Sequence, residues 1–224
     1  MAGLSRAYKR RGNMIANTGG PVLCLDAGSR LSYPGSGTTW TDLSGNGNTG
    51  TLTNGPTYSS ANSGAIVFDG SNDYVDVPAS ASLNALTNFT FSAWVYFNTS
   101  GNNNGFLFMS GNAAFEFWRY IGKHRFYYQG VGYDTTDNVP TGQWVLMTLT
   151  RSGSDFNQYI NSTLSKTTTI NATALPSAGY RIGAYASCGY NLNGSMGNAS
   201  VYNRALSAAE ISTNFNLLRG RYGI

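Results

Sequence analysis

Gly45, Gly47 and Gly50 stand in G-x-G-x-x-G spacing within SGNGNTG. In a dinucleotide site such glycines follow a strand and open a helix, whose N–H groups meet the phosphates. Here WTDL precedes, TLTNGP follows with Pro56 close behind, and no helical stripe starts at Gly50. The phosphate reading therefore lacks the helix it needs. The same stretch offers oxygen ligands. Asp42, Ser44 and Asn46, followed by Gly47, match the opening of a loop in which alternating oxygens surround calcium. The twelfth position is Thr53 rather than Glu, so the bidentate ligand is missing. Calcium at Asp42, Ser44 and Asn46 competes with a polar loop held by its own side-chain hydrogen bonds.

Catalytic constellations are sparse. His124 is the only histidine, which rules out H-E-x-x-H, and there is no G-x-S-x-G elbow. Only two glutamates exist. Glu210 belongs to a capping box, and Glu116 stands in FEFW without an acidic neighbour. A glycanase would need Glu116 to meet a distant Asp, because glycoside hydrolysis uses two carboxylates at controlled separation. No enzyme is expected.

Aromatic and basic residues point instead to binding. FWRY (117–120) and HRFYYQGVGY (124–133) mix rings with Arg119 and Arg125. Ring faces stack on sugar C–H surfaces, and the same mixture makes protein–protein hot spots. Trp94, Trp118, Arg119, Tyr120 and Tyr128 are the candidate glycan or protein contacts. Strand alternation must turn about half of such rings into the core. A second binding element is the start of the chain. Arg6, Lys9, Arg10 and Arg11 account for the whole formal charge of +4. This basic arm could be a solvated leader, could order on an acidic protein surface, or could touch phosphates. Nucleic acid is not favoured, since four charges with a single aromatic, Tyr8, among them are weak evidence for phosphate contact.

The elements that must hold these residues read as β. Charged residues are 11% of the chain, against about 25% in typical domains, and Gly is frequent at 28 residues. FTFSAWVYFN (89–98) alternates Phe89, Phe91, Ala93, Val95 and Phe97 on a core face. Thr90, Ser92, Trp94, Tyr96 and Asn98 fall on the other, mixed face, which reads as only partly covered. GAIVFDGSNDYVDVP reads as a strand, a tight turn at Asp69–Asp73 and a second strand. GFLFMS, AFEFWRY, HRFYYQ, QWVLMTLTR, NQYI, YRIGAY and GNASVYN add further strands. Residues 29–62 read as loop, with Trp40 and Leu43 anchored in the core. One helix is legible near the end. Ser207 and Glu210 form a capping box, Leu206 and Ile211 a staple, Ile211, Phe215 and Leu218 an apolar stripe, and Gly220 a stop. The pattern predicts an arm at 1–20 and one antiparallel sandwich at 21–224. No run approaches the roughly 18 apolar residues of a membrane helix. MAGLSRAYKRRGNM has no apolar region after its basic residues, unlike a secretory signal. Export as part of a larger particle is the alternative to staying where the chain is made. Cys24 and Cys188 have no C-x-x-C spacing, so the usual zinc or redox pattern is missing; they read as two separate thiols, with a disulfide between them as the alternative.

Four stretches together resemble laminin-G-like domains of the concanavalin A-like lectin/glucanase superfamily. They are VLCLDAGSRLSYPGSGTTWTDLSGNGNTGTLTNGPTY, GAIVFDGSNDYVDVP, NFTFSAWVYF and ASVYNRALSAAEIS. The resemblance implies an all-β jelly-roll sandwich of two antiparallel sheets with a short C-terminal helix. AFEFWRY lacks the E-x-D-x-E strand of the superfamily's hydrolases, and Asn198 stands near a place where many relatives have Asp. The first stretch and the ending NFNLLRGRYGI are similar to versions in tailed-phage virion proteins. That likeness implies a non-enzymatic virion protein. Its expected role is a capsid decoration module that contacts the major capsid protein or other virion proteins through Arg6, Lys9, Arg10 and Arg11, as a homo-oligomer. The alternative is a tail- or fibre-borne adhesin for a host surface glycan.

Overall fold

The computed structural model describes residues 19–98, 105–110, 114–185 and 190–224. The arm residues Arg6, Lys9, Arg10 and Arg11, and also Cys188, lie outside the described residues. In chain order the strands are β1 (Leu23–Asp26), β2 (Thr39–Trp40), β3 (Gly50–Thr53), β4 (Thr57–Ser59), β5 (Ala65–Asp69) and β6 (Tyr74–Val77). Next come β7 (Phe89–Phe97), β8 (Gly105–Ser110), β9 (Phe115–Tyr120), β10 (Lys123–Tyr128) and β11 (Val131–Asn138). The last are β12 (Trp144–Ser152), β13 (Asp155–Ile160), β14 (Thr163–Thr169), β15 (Tyr180–Ile182) and β16 (Asn193–Tyr202), followed by helix α1 (Ala208–Leu218).

Two antiparallel sheets stack face to face. The first runs β14-β13-β12-β7-β16-β5-β4, with β1 also paired to β16. The second runs β11-β10-β9-β8-β15-β6-β3-β2. Alternation explains the layering. Phe89, Phe91, Ala93, Val95 and Phe97 all face the space between the sheets. There Phe91 meets Phe108, Phe115 and Tyr180 at centroid distances of 5.1, 4.9 and 5.3 Å.

The other face of β7 is buried as well, contrary to the partly covered face expected from sequence. Trp94 stacks on Phe215 of α1 at 5.6 Å and on Tyr222 at 4.4 Å. A 3-10 turn at Arg219–Tyr222 presents Tyr222, and Arg221 pins that turn. Its guanidinium donates to the carboxylate of Asp26 at 2.6 Å and to the carbonyls of Gly64 and Asn62. Tyr222 comes so close to β16 that a Cβ at Gly197 would lie 2.3 Å from its hydroxyl, so only glycine fits there. The capping box of Ser207 and Glu210 is present, and Leu206 and Ile211 pack together. Gly220 does not stop the helix; the chain tightens into the 3-10 turn, which Gly223 closes with a φ of 72°.

Two further expectations are corrected. The turn at 69–73 does not close a hairpin, because β5 lies in the first sheet and β6 in the second. It crosses between sheets, held by the Asp73 carboxylate accepting the Asp69 N–H at 3.0 Å. Residues 29–62 are not all loop either. Short strands β2, β3 and β4 extend both sheets, Trp40 is fully buried, and Leu43 is only half-buried.

Candidate functional site

The candidate site is built on β9, β10 and β11. Two tight turns set their register. Ile121 and Gly122 take φ of 46° and 78°, and Gln129 and Gly130 take 49° and 84°. Paired positive φ values in two-residue loops give turns whose twist matches the strands. The resulting meander turns Phe115, Phe117, Phe126 and Tyr128 into the core. By the same alternation Glu116, Trp118, Tyr120, Arg125 and Tyr127 stand on the outer face of the second sheet.

On that face Trp118 is the floor. It is 5% exposed and lies 4.7 Å from Tyr120 and 5.4 Å from Tyr190. Met109 and Tyr185 complete the cluster. Tyr190 is 42% exposed, while Tyr120, Tyr127 and Tyr185 are half-buried, so the rings presented outward are tyrosines standing around a buried tryptophan. Arg125 crosses the cluster. Its guanidinium sits 3.7 Å from the Tyr120 ring and binds the Asp134 carboxylate through two bonds of 2.5 Å. The charge of Arg125 is thus answered before any ligand arrives.

Glu116 is flanked in register by Tyr127 on β10 and Met109 on β8. Burial among these groups pushes its carboxyl up to about 7, against the smaller opposing pull of Arg125. At neutral pH it is part acid and part carboxylate, able to donate or to accept a hydrogen bond. Its folded value lies above the unfolded 4.5, so its proton favours the folded state below pH 4.5 and that gain is lost as pH rises through 7. Glu116→Gln should therefore stabilise the protein at pH 8 by about 3 kcal/mol and leave stability at pH 4 nearly unchanged. Denaturant titrations at the two pH values check this. Equal changes at both would show that the carboxyl is not held protonated.

The sequence candidates separate cleanly. Trp118 and Tyr120 come together in the cluster, and Tyr127, Tyr185 and Tyr190 join them unforeseen. Tyr127 shares the parity of Arg125 on β10, a signal the strand pattern contained. Tyr185 and Tyr190 lie outside the strands and carried no such signal. Trp94 is no ligand contact, being 1% exposed beneath α1. Tyr128 points into the core, where its hydroxyl donates to the Thr173 carbonyl at 2.8 Å. Arg119 faces inward too, 5.3 Å from the Phe97 ring, with its Nε donating to Val139.

Calcium at Asp42, Ser44 and Asn46 is likewise corrected. The Asp42 carboxylate accepts the N–H groups of Cys24, Ser44 and Asn48 and the Ser44 hydroxyl, at 2.6–2.9 Å. Asn46 aims its N–H donors at Ser44, not its oxygen at a shared centre. A cation would have to displace these donors. Gly45 and Gly47 serve positive-φ turns, and Gly50 admits Val75, whose methyl would lie 2.6 Å from a Cβ there. Cys24 lies beneath this loop, and its burial raises the thiol to about 12, so it stays protonated.

A family model for the Concanavalin A-like lectin/glucanases superfamily matches residues 69–212, the span from β5 into α1. The chain belongs to that superfamily. No curated protein matches its sequence at a significant level. Among solved structures, Trypanosoma rangeli sialidase in complex with an inhibitor aligns at a TM-score of 0.69 and 17% identity. The alignment covers 95% of this chain and 37% of the sialidase, so the superfamily member spans little more than a third of that enzyme. Domain 4 of an extracellular arabinanase from Geobacillus stearothermophilus, in complex with arabinotriose, aligns at 0.68 and 17% identity. It covers 86% of this chain and 96% of that domain. The binding domain of botulinum neurotoxin serotype D aligns at 0.68 and 14% identity, over 88% and 51% of the two chains. At these identities the likenesses establish the shared fold.

Proposed function

We propose that this domain binds a glycan on the outer face of its second sheet and does not cleave it. One asymmetry carries the reading. The outer face of the first sheet is sealed by α1 and the 3-10 turn, whereas the second sheet leaves Tyr120, Tyr127, Tyr185 and Tyr190 around Trp118 without a covering element among the described residues. Uncovered aromatic clusters of this kind mark interaction sites. Sugar C–H faces carry slight positive charge and stack on the electron-rich faces of such rings. Arg125, Asp134 and Glu116 supply hydrogen-bonding groups beside them. The arabinanase domain of the same fold holds arabinotriose.

Hydrolysis is disfavoured by register. Asp134 pairs with Arg125, which pairs with Trp118, placing it two strands over and two residues along from Glu116. That separation is roughly 12 Å along the backbone grid. Paired glycosidase carboxylates stand about 5–9.5 Å apart.

The likeness of the sequence to phage virion proteins supports a place on a virion surface, as head decoration or tail adhesin, where Arg6, Lys9, Arg10 and Arg11 would meet a neighbouring virion protein. Copy number per particle separates the two placements: hundreds on a head, at most a few dozen on a tail. The binding function is tested on a glycan array that includes bacterial lipopolysaccharides. Tyr120→Ala and Tyr190→Ala should each weaken the best hit about tenfold or more, as expected for loss of an interfacial ring. Trp94→Phe, on the sealed face, should not. No binding by the wild-type protein at high micromolar concentration would end this reading.

A further inference from the structure

The outer face of the second sheet seats two of its own cations against rings. Arg125 lies 3.7 Å from the Tyr120 ring and is held by the Asp134 carboxylate. Arg181 lies over the Tyr74 ring at 4.1 Å and donates to the Tyr185 carbonyl at 3.5 Å. Glu116 is the reverse case, a carboxyl among rings with no cation upon it. Strand register sets it in a row between Tyr127 on β10 and Met109 on β8, and the row runs on to Arg181 on β15 and Asp76 on β6. Met109 therefore stands between Glu116 and Arg181. Lys123, farther along β10, donates to the Thr136 carbonyl of β11. Burial raises the Tyr185 hydroxyl, and Glu116, Tyr127 and Tyr190 add to that rise, so these four groups stand close together. The rings of Tyr185 and Tyr190 meet at 66°, with centroids 6.2 Å apart, and form two walls. Glu116 is 5% exposed at the base of this cluster, and among the described residues none donates a hydrogen bond to its carboxyl. Arg125 draws its proton off, but by less than burial holds it on.

A buried carboxylate without a counter-ion is costly, and ring faces attract cations. Resting on the glycan-binding reading above, we propose that the cluster selects glycans carrying a free, unacetylated amino group, whose ammonium pairs with Glu116 between Tyr127, Tyr185 and Tyr190. A primary ammonium answers both needs. Its N–H groups donate to the carboxylate, and its charge rests on the rings as that of Arg125 rests on Tyr120. A quaternary ammonium has no N–H to give Glu116, and a metal ion would find one carboxylate where it needs several oxygens. Acetylation of the amine removes the charge and sets a methyl group against the carboxylate. Binding is coupled to pH with a fixed sign. Where Glu116 holds its proton, that proton must pass to solvent as the ion pair forms, so lowering the pH below about 7 weakens the pairing. The ligand amine is more fully charged on that side and works against such a loss.

The test is calorimetry on the whole chain with two matched pairs. One is a glucosamine tetramer and its N-acetyl counterpart; the other is a 2-aminoethyl glycoside of cellotetraose and its N-acetyl counterpart. At pH 7 the amine member of at least one pair should bind about tenfold or more tighter than its partner. The first pair reads an ammonium on the sugar ring and the second an ammonium on a tether. In the wild-type protein the advantage should shrink as the pH is lowered and be gone by about pH 5. In Glu116→Gln, which keeps the shape and removes the charge, it should be absent at every pH. Equal affinity within both pairs, an advantage that persists at about pH 5, or one that survives Glu116→Gln would each overturn the ammonium site and leave glycan binding at the cluster standing. So would failure to bind either pair by a protein that binds other glycans. Absence of binding to every glycan would remove both.

Discussion

Replacing Trp94 with Ala will lower stability by about 3–5 kcal/mol, the range for deleting a large buried aromatic. Trp94 is the hinge pin of the sealed face. It contacts Phe215 and Tyr222 by stacking, and Trp144 packs on Tyr222 from the adjacent strand at 4.6 Å. Without the indole, Phe215 loses the surface it stacks on, and Ile211 alone of the stripe keeps its packing, against Tyr159, Tyr202 and Leu206. A helix of this length is marginal in water by itself. The damage should therefore be uneven. Amides of Ala208–Leu218 should lose protection in hydrogen exchange well before those of β7 and β12. Uniform loss of protection would show that α1 is not a separately docked element. Trp94→Phe keeps one ring and should recover much of the loss.

The second large effect is acid sensitivity centred on His124. Its ring lies fully buried beside Phe117, at 4.9 Å, and burial lowers its pKa to about 3. Above pH 6.5 the ring is neutral in both folded and unfolded chains and pH does nothing. Below 6.5 the unfolded chain takes up a proton that the folded ring refuses, so stability falls until about pH 3. The full loss is about 4–5 kcal/mol. Glu116 acts oppositely from pH 7 down to 4.5, where its protonation favours the folded form. The two nearly cancel between 6.5 and 4.5. Below 4.5 His124 acts without that opposition. Glu210, held down to about 2 chiefly by its bonds to Arg204, loses stability in the same direction. Stability should thus be flat to about pH 4.5 and then drop steeply. His124→Met, close in volume and uncharged, should flatten the acid limb. Glu116→Gln should move the onset of the fall up to about pH 6.5. An acid limb unchanged in His124→Met would assign it to other groups.

Both effects concern residues whose surroundings were invisible in sequence for the same reason. Alternation told which residues of β7 share a face, and the core face of Phe89, Phe91, Ala93, Val95 and Phe97 was legible at once. It did not tell what covers the other face. The stripe of Ile211, Phe215 and Leu218 was visible, yet nothing local says that Phe215 lands on Trp94 while Ile211 packs against Tyr159 and Tyr202. The candidate site divides similarly. Trp118 and Tyr120 lie on a strand whose parity is readable. Tyr128 and Arg119 were misjudged because parity fixes a pair of faces but not which is inside. Tyr185 and Tyr190 reach the cluster from a distant connection, and Asp76 and Met109 join its row only through the order of strands. The Asp69–Asp73 turn shows the limit most plainly. Its residues suit a hairpin, but both sheets needed a partner, and the chain crossed between them.

The position of β16 has a consequence for how the chain is made. β16 sits between β7 on one side and β5 and β1 on the other, so the earliest described strand pairs with the last. Leu23 finds its partner only at Val201. A nascent chain leaving the ribosome with β1, β5 and β7 already formed would carry three strands with bare edges, the kind of surface that templates association between chains. Contacts so distant in sequence also close slowly. The sandwich therefore completes after translation has passed residue 202, and chains that stop short of β16 should accumulate as aggregates rather than as smaller folded units.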